Sequence, residues 1–323
     1  MSTAEESICG YCKRPGGRVL YPTVDMSGTV WTVNRCEGCK AFFLSPRPSA
    51  EEIRRAYDTA YYGEQEEKFS SPVIEKMLDV FRAGRARRLH RYLSPGARVL
   101  DIGCGNGNFL QFLLRFGSYE LHGVEREGKA AERAARVKGI HLKKGTLARG
   151  DFPGRTFDAV TLFHVFEHLE EPAETLDIIG EILKPGGVVV FSFPNISSLQ
   201  SRLFKGRWLH LDPPRHLFFF DPDDFQRILA TRGFDPLYRK FFSLEMNPFG
   251  AVQSLLNVVL KKREVLFEAF KGNRQYIQEY LPLSLALQKA FFLVAMPVFV
   301  LTDAVASLAG RGATVEMAFG KRD

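Results

Sequence analysis

Val99-Leu100-Asp101-Ile102-Gly103-Cys104-Gly105-Asn106-Gly107 is an apolar run that reaches an acid and enters a glycine-rich turn. The turn opens into the helical segment Asn108-Phe109-Leu110-Gln111-Phe112-Leu113. Glycines let a backbone turn tightly and bring its amides up to a ligand where a Cβ would collide. Alone, Gly-x-Gly-x-Gly is a weak signal, because dehydrogenases and ordinary glycine turns carry it too. Outward from it, short β-like runs recur at residues 98–102, 120–125, 139–144, 157–163 and 188–193, with helix-length segments between them. That alternation predicts a parallel sheet with crossover helices. Val188-Val189-Val190-Phe191-Ser192-Phe193 is nearly all apolar, as a strand buried on both faces should be.

Further features stand at fixed places around the turn. Asp101 ends the first run, and Glu125 ends the second, where a carboxylate can take both hydroxyls of a ribose. Phe157-Asp158-Ala159-Val160 leads into Phe163-His164-Val165-Phe166-Glu167-His168-Leu169, and Leu183-Lys184-Pro185-Gly186-Gly187 precedes the fifth run. As a set, these motifs resemble the class I S-adenosylmethionine-dependent methyltransferases. The resemblance implies an α/β fold with a Rossmann-like seven-stranded sheet whose last strand, Ala313–Phe319, is antiparallel. It also implies that Gly103, Gly105 and Gly107 line the methionine and ribose of S-adenosyl-L-methionine. Asp101 would meet the ammonium, Glu125 would hold the ribose, and Phe163 and His164 would wall the sulfonium. Many relatives have an acid after the third strand; Gly145-Thr146-Leu147 stands here, so adenine contact falls to backbone groups and Leu147. The dehydrogenase reading needs Gly-x-Gly-x-x-Gly, and Asn108 occupies the last position.

Cys9-Gly10-Tyr11-Cys12 and Cys36-Glu37-Gly38-Cys39 form two Cys-x-x-Cys knuckles, each able to give two thiolates to one tetrahedral structural zinc. Residues 1–48 thus read as a zinc-ribbon-like module and 49–95, opened by Ser49 as a helix cap, as a helical linker or cofactor lid. Residues 96–243 read as the catalytic core with six strands, 244–310 as an apolar helical insertion and 311–323 as the final strand. The order of ribbon, Pro46-Arg47-Pro48-Ser49 turn, tyrosine-bearing segment (Tyr61, Tyr62) and core is similar to bacterial methyltransferases of sugars, polysaccharides and secondary metabolites. In such relatives the tyrosine segment covers the cofactor.

The residues after the fourth strand narrow the chemistry. Methyltransferases of base or glutamine amines carry Asn/Asp-Pro-Pro-aromatic there, whereas this chain has Phe163-His164-Val165-Phe166. A Pro-Cys nucleophile for pyrimidines is missing. O-methylation of a sugar, glycan, lipid-linked or secondary-metabolite acceptor remains, with amine methylation behind it. Methyl transfer from a sulfonium needs alignment and a base for the acceptor's proton. Trp208 to Leu217 follows the fifth strand on the ligand side and contains Arg215 and His216. His216 is the candidate base, Arg215 the fork for an acceptor's anionic group, and His164 the rival base. His168 reads as fixing its local turn. The alternative is a zinc-ribbon protein that binds nucleic acid or modifies RNA on the same core; the knuckles lack the interleaved aromatic and basic residues of a single-strand groove.

Composition sets outer limits. With 45% hydrophobic and 25% charged residues over 323 positions, the chain is neither disordered, collagen-like nor a disulfide scaffold. A formal charge of +7 suits an anionic partner without choosing one. Met1 to Ser7 holds acids and no apolar run, which predicts no secretory signal and a cytoplasmic protein with reduced thiols. In the insertion, Val252–Leu260 and Ala290–Leu301 are apolar; the second run is interrupted by Pro297 and is shorter than the roughly twenty residues of a bilayer span. With Lys261, Lys262 and Arg263 beside the first run, the insertion is expected to cap the core, to pair two copies, or to lie peripherally at the inner face of a membrane.

Overall fold

A computed structural model describes residues 8–58, 72–154 and 156–323. Its strands are β1 (Arg18–Val24), β2 (Val30–Arg35), β3 (Phe42–Ser45), β4 (Arg98–Ile102), β5 (Glu120–Glu125), β6 (Ile140–Lys144), β7 (Phe157–Phe163), β8 (Leu183–Pro194), β9 (Phe218–Phe219), β10 (Phe234–Lys240) and β11 (Thr314–Lys321). Helices are α1 (Ala50–Asp58), α2 (Pro72–His90), α3 (Asn108–Leu113), α4 (Lys129–Ala134), α5 (Pro172–Ile182), α6 (Leu199–Phe204), α7 (Pro222–Ala230), α8 (Asn247–Val259), α9 (Val265–Lys271), α10 (Arg274–Ile277) and α11 (Pro282–Leu308). Tyr61 and Tyr62 lie outside the described residues.

The larger sheet has seven strands in the order β10-β11-β8-β7-β4-β5-β6. Pairs from β8 to β6 are parallel, and β11 runs antiparallel to both β8 and β10, as expected of the fold. One face of β8 and β11 meets α7 through edge-to-face rings, with Phe225 within 5.0 Å of Phe191 and 6.2 Å of Phe319. Such pairs add roughly 0.5–1.5 kcal/mol each beyond their buried area. α7 starts where it does because Asp221 caps it, its side chain accepting from the Asp223 amide, and Pro222 takes the first helical position. β8 begins at Leu183 rather than Val188: Leu183 already pairs with Phe157, and the register then slips before Ala159. Lys184 to Gly187 is therefore a bulge within the strand, anchored by Lys184 Nζ donating to Asp158 Oδ1 at 2.7 Å.

A second sheet, β1-β2-β3-β9, is antiparallel throughout. Its fourth strand comes from the loop after β8, so the amino-terminal residues share a sheet with the core segment. Cys9, Cys36 and Phe43 also lie in the same apolar cluster as Val160, Phe191 and Phe220. Ser49 and Glu52 form a reciprocal capping box at α1: the Glu52 amide donates to Ser49 Oγ at 3.2 Å, and the Ser49 amide to Glu52 Oε2 at 2.8 Å.

The insertion departs from expectation in two respects. The run around Pro297 is part of a helix of 27 residues, long and apolar enough to cross a membrane. The flanking Ser, Gln, Lys and Thr residues are good enough helix formers to extend it beyond the apolar run. Arg263 does not face outward with Lys261 and Lys262. It is 3% exposed, and its guanidinium donates to Thr23 Oγ1, Val24 O, Gly206 O and Trp208 O at 2.7–3.2 Å. It thereby ties the insertion to β1 and to the loop after β8. Lys262 pairs with Glu279 at 2.9 Å.

Candidate active site

The turn after β4 has the conformation its glycines predict. Gly103, Gly105 and Gly107 all have positive φ, at 70°, 57° and 78°. A Cβ on Gly103 would come within 2.3 Å of Val165 Cγ2, whereas a Cβ on Gly105 would meet nothing within 4 Å. Gly103 is thus closed by packing, and Gly105 borders open space where a ligand can approach the backbone. Asp101, buried, accepts from Thr161 Oγ1 at 2.6 Å. Burial pushes its carboxyl up to about 7, assisted by the Glu125 charge and opposed by the Thr161 bond and Arg85. Glu125 accepts the Gly105 amide at 2.6 Å and the Arg126 amide at 3.1 Å; burial raises it despite these bonds. Two buried carboxylates beside an open glycine turn fit a ligand with an ammonium and a diol. Cys104 lies in this turn, its thiol raised by burial, apart from the other cysteines.

The remaining cofactor candidates divide. Leu147, half-buried, packs against the edge of the main apolar cluster. Phe163 stacks edge-to-face on Phe109 at 4.8 Å and lies 5.3 Å beneath the Arg85 guanidinium, so its ring faces α2 and α3.

Val165, against the glycine turn, is followed by a single turn of 3-10 helix, Phe166–His168, that carries the next set of groups. His164 has a positive φ of 56°, and its Nε2 lies 3.0 Å from Ser192 Oγ. Glu167 is 2% exposed, with no hydrogen-bond partner for either carboxylate oxygen. Burial pushes it up, but His164, His216 and His168 outweigh that and hold it below its ordinary value. His168 Nδ1 lies 3.0 Å from both Tyr57 OH and Arg215 O, which locks this turn to the 208–217 loop. Burial, then the His216 charge, lowers its pKa to about 3.

His216 lies on the other side of Glu167. Its Nδ1–H donates to His210 O at 2.8 Å, so the neutral ring carries its lone pair on Nε2. That atom stands 3.8 Å from Asp212 Oδ2 and 4.0 Å from Glu167 Oε1, beyond a hydrogen bond to either. Glu167, His168 and His216 each present a donor atom within 4.8 Å of the others, a set able to hold a divalent ion.

Arg215 corrects an expectation. Its guanidinium is forked onto Asp212, with Nε 3.1 and 2.9 Å from the two carboxylate oxygens and Nη2 closing the pair, and Nη1 donates to Ala56 O at 3.3 Å. The fork expected for an acceptor's anion is used inside the protein. Arg215 nonetheless borders a cavity of about 830 Å³ lined also by Thr29, Glu52, Pro214, Lys262 and Tyr276. The sequence reading did not single out Glu167 and Asp212, the two carboxylates that flank His216. The signal for Glu167 was a carboxylate set in the otherwise apolar Val165-Phe166, one helical turn after His164.

The four amino-terminal cysteines converge. Cys9 Sγ is 3.6 Å from Cys39 Sγ, Cys12 Sγ is 3.5 Å from Cys36 Sγ, and all four sulfurs lie within 4.8 Å of one another. These separations exceed a disulfide bond of about 2 Å and approach the roughly 3.8 Å edge of a tetrahedron with 2.3 Å metal–sulfur bonds. The knuckles are built alike: Lys13 N donates to Cys9 O and Lys40 N to Cys36 O, with positive φ at both lysines.

Comparison with known proteins agrees with this geometry. The family profile described as a methyltransferase domain matches residues 74–238, more than half of the chain. The ubiquinone biosynthesis O-methyltransferase of Roseobacter denitrificans is 31% identical over 163 residues, covering 46% of this chain and 63% of that protein. The protein of the same name from Alkalilimnicola ehrlichii is 35% identical over 109 residues, 31% of this chain and 42% of its own length. The chain thus spans less than two thirds of these relatives. Among solved structures, a Haloferax volcanii methyltransferase in complex with the Trm112 activator superposes with a TM-score of 0.52 at 14% identity, over 84% of this chain and 98% of that one. A candidate sarcosine dimethylglycine methyltransferase from Galdieria sulphuraria gives 0.50 at 16% identity, over 84% and 99%. The sheet order, the glycine turn with its two acids and the profile match converge on one conclusion: this chain belongs to the S-adenosylmethionine-dependent methyltransferases.

Proposed function

We propose that the enzyme methylates a hydroxyl oxygen, with His216 Nε2 taking the acceptor's proton. When bound, S-adenosylmethionine supplies an electrophilic methyl group on sulfur; Asp101, Glu125 and the glycine turn are the groups to hold it. The carrying observation is the tautomer of His216: the bond from Nδ1 to the His210 carbonyl leaves Nε2 as an acceptor, flanked by the carboxylates of Glu167 and Asp212. As Nε2 gains a proton, those carboxylates stabilise the imidazolium that forms. His164 serves less readily as the base, because its Nε2 lies 3.0 Å from Ser192 Oγ and its Nδ1 3.5 Å from Glu167 Oε1, so both ring nitrogens face protein groups. The relatives' name, O-methyltransferase of ubiquinone biosynthesis, supports oxygen as the accepting atom.

The mixed polar lining of the cavity beside Arg215 suits an acceptor with a hydroxylated head, either a sugar or glycan or the ring of a lipid-linked compound. The test is transfer of labelled methyl groups to a panel of nucleotide sugars, lipid-linked glycans and hydroxylated intermediates of ubiquinone biosynthesis. With the accepted compound, H216N should lower kcat by roughly 10²–10⁴-fold while S-adenosylhomocysteine binds with unchanged affinity. Retention of wild-type kcat would remove His216 from this role. Glu167, with both oxygens unpartnered, favours a second reading in which it joins His168 and His216 around a divalent ion that acidifies the hydroxyl. Loss of activity on chelation, restored by one added metal, would select that reading.

We also infer that Cys9, Cys12, Cys36 and Cys39 hold a structural zinc, since four thiolates leave no open position for a substrate. Metal analysis of freshly purified protein should find about one zinc per chain.

A further inference from the structure

Among the described residues, α11 has an apolar face that nothing in the fold covers. The helix has 27 residues, about 40 Å of length at 1.5 Å per residue. Toward the protein it turns Gln288, Ala295 and Asp303, with Phe292 packed on Phe249 and Phe270. Asn247 Nδ2 donates to Asp303 Oδ2 at 3.0 Å, and Asn247 Oδ1 accepts from Thr314, so α11 is pinned to α8 and β11. Away from the protein stand Leu283, Leu287, Val294, Val298, Leu301 and Val305, each 58–77% exposed. At 100° per residue they form one stripe, and Ala290, Leu293 and Pro297 widen it to nearly half the circumference. The charges on the helix are Lys289 and the buried Asp303. A helix facing water carries its polar residues on this side; this one does not.

By length and apolar composition α11 could cross a bilayer. The topology forbids it. β10 before it and β11 after it are hydrogen-bonded neighbours in one sheet, so a crossing α11 would need a second span within residues 241–281, and among the described residues α11 alone is long and apolar enough to span. We propose that α11 lies in the plane of an anionic bilayer surface, its outer stripe at the boundary between headgroups and acyl chains. Exposed Leu199 and Leu203 on α6 extend the apolar surface, Leu199 sharing a groove of about 470 Å³ with Leu301, Val305 and Arg311. Exposed Arg202, Lys205 and Arg311 border it and match phosphate headgroups. A second copy fits less well, because a two-helix seam covers a narrow strip and would leave the rest of this arc in water. The inference stands whichever acceptor the enzyme uses.

Flotation of the full chain with vesicles of phosphatidylcholine, with and without phosphatidylglycerol, tests it. Wild type should float with the anionic vesicles, and V294E/L301E should stay in solution while binding S-adenosylhomocysteine with unchanged affinity. R202Q should weaken partitioning onto anionic vesicles about fivefold, the value of one basic residue at such a surface. Single tryptophans placed at Leu287, Val298 and Leu308 should be quenched to equal depth by brominated lipid, because a helix in the plane has no deep centre. Wild type that fails to float, or that forms a dimer dissociated by V294E/L301E without binding vesicles, overturns the proposal. A Val298 probe deeper than both ends overturns the flat orientation.

Discussion

Gly103 and Gly105 are two residues apart and share a backbone conformation, yet they should fail differently. At Gly103 an alanine Cβ meets Val165 at 2.3 Å, so G103A combines left-handed strain of roughly 1–2 kcal/mol with a clash and should lower stability by several kcal/mol. At Gly105 the same strain applies without the clash, so G105A should lose only roughly 1–2 kcal/mol of stability while losing cofactor affinity. Urea unfolding and calorimetry with S-adenosylhomocysteine separate the two outcomes. Asp101 makes a prediction about pH. Burial raises its carboxyl to about 7, so the free protein carries it protonated below that value. A cofactor ammonium is held by the carboxylate, so binding must release that proton. Affinity should then fall by about tenfold per pH unit from 7 toward 5, and D101N should abolish the slope. Equal binding heats in buffers of different ionisation enthalpy at pH 6 would show that no proton is released. These residues were legible because the glycine turn and its acids are local. The pairing of Glu167 with His216 was not, since it depends on how a loop after β8 folds back. Nor was the diversion of Arg215, which follows from Asp212 adopting left-handed backbone, φ 37° and ψ 51°, beneath it.

Among the elements, the strands were read well because their apolar runs are short and bounded by turn residues; five of the core strands begin or end within a residue or so of expectation. α11 exceeds its expected length because the apolar run Ala290–Leu301 is bounded by Lys289 and Thr302-Asp303 and interrupted by Pro297, and the helix continues through all of them. A proline inside a helix loses one hydrogen bond and crowds the preceding turn, but about 3 kcal/mol of local penalty does not end a helix pinned to α8 and β11 by Asn247 and Asp303. Removing that penalty is a direct check: P297A, at an exposed position, should raise stability by up to about 3 kcal/mol. Arg263 gives the opposite sign. Its charge is buried 3.7 Å from the buried carboxylate of Glu264, so R263M leaves that carboxylate without its counter-ion and takes a donor from Val24 O, Gly206 O and Trp208 O. The loss should be about 3–5 kcal/mol, seen as a lowered urea midpoint with unchanged slope.

At the scale of the molecule, composition suggests a division into ribbon, core and insertion, and it gives no sign that β1, β2 and β3 share one sheet with β9. β9 lies in the core segment but pairs with β3: Phe218 faces Phe43 and Phe219 faces Phe42. Two aromatic residues in an otherwise irregular loop give no periodicity from which to read that pairing. Its consequence is mechanical. His216 lies two residues before β9, and β3 begins three residues after Cys39, so the cysteine cluster and the candidate base are joined by a single strand pair. The glycine turn is linked less directly: it is built on β4 and reaches the 208–217 loop through Val165 and the turn that follows it. Loss of the proposed zinc should therefore disturb the two halves of the site unequally. C36S, or stripping with a strong chelator, should lower kcat by tenfold or more as β3 and β9 part, the scale expected when a base loses its position. S-adenosylhomocysteine should still bind near its original affinity, provided the measurement is made below the reduced melting temperature. Restoring zinc to the stripped protein should recover activity, and C36S should not recover. If C36S turned over at the wild-type rate with its cysteines empty, the ribbon would be a separate module and β9 pairing would have no part in placing His216.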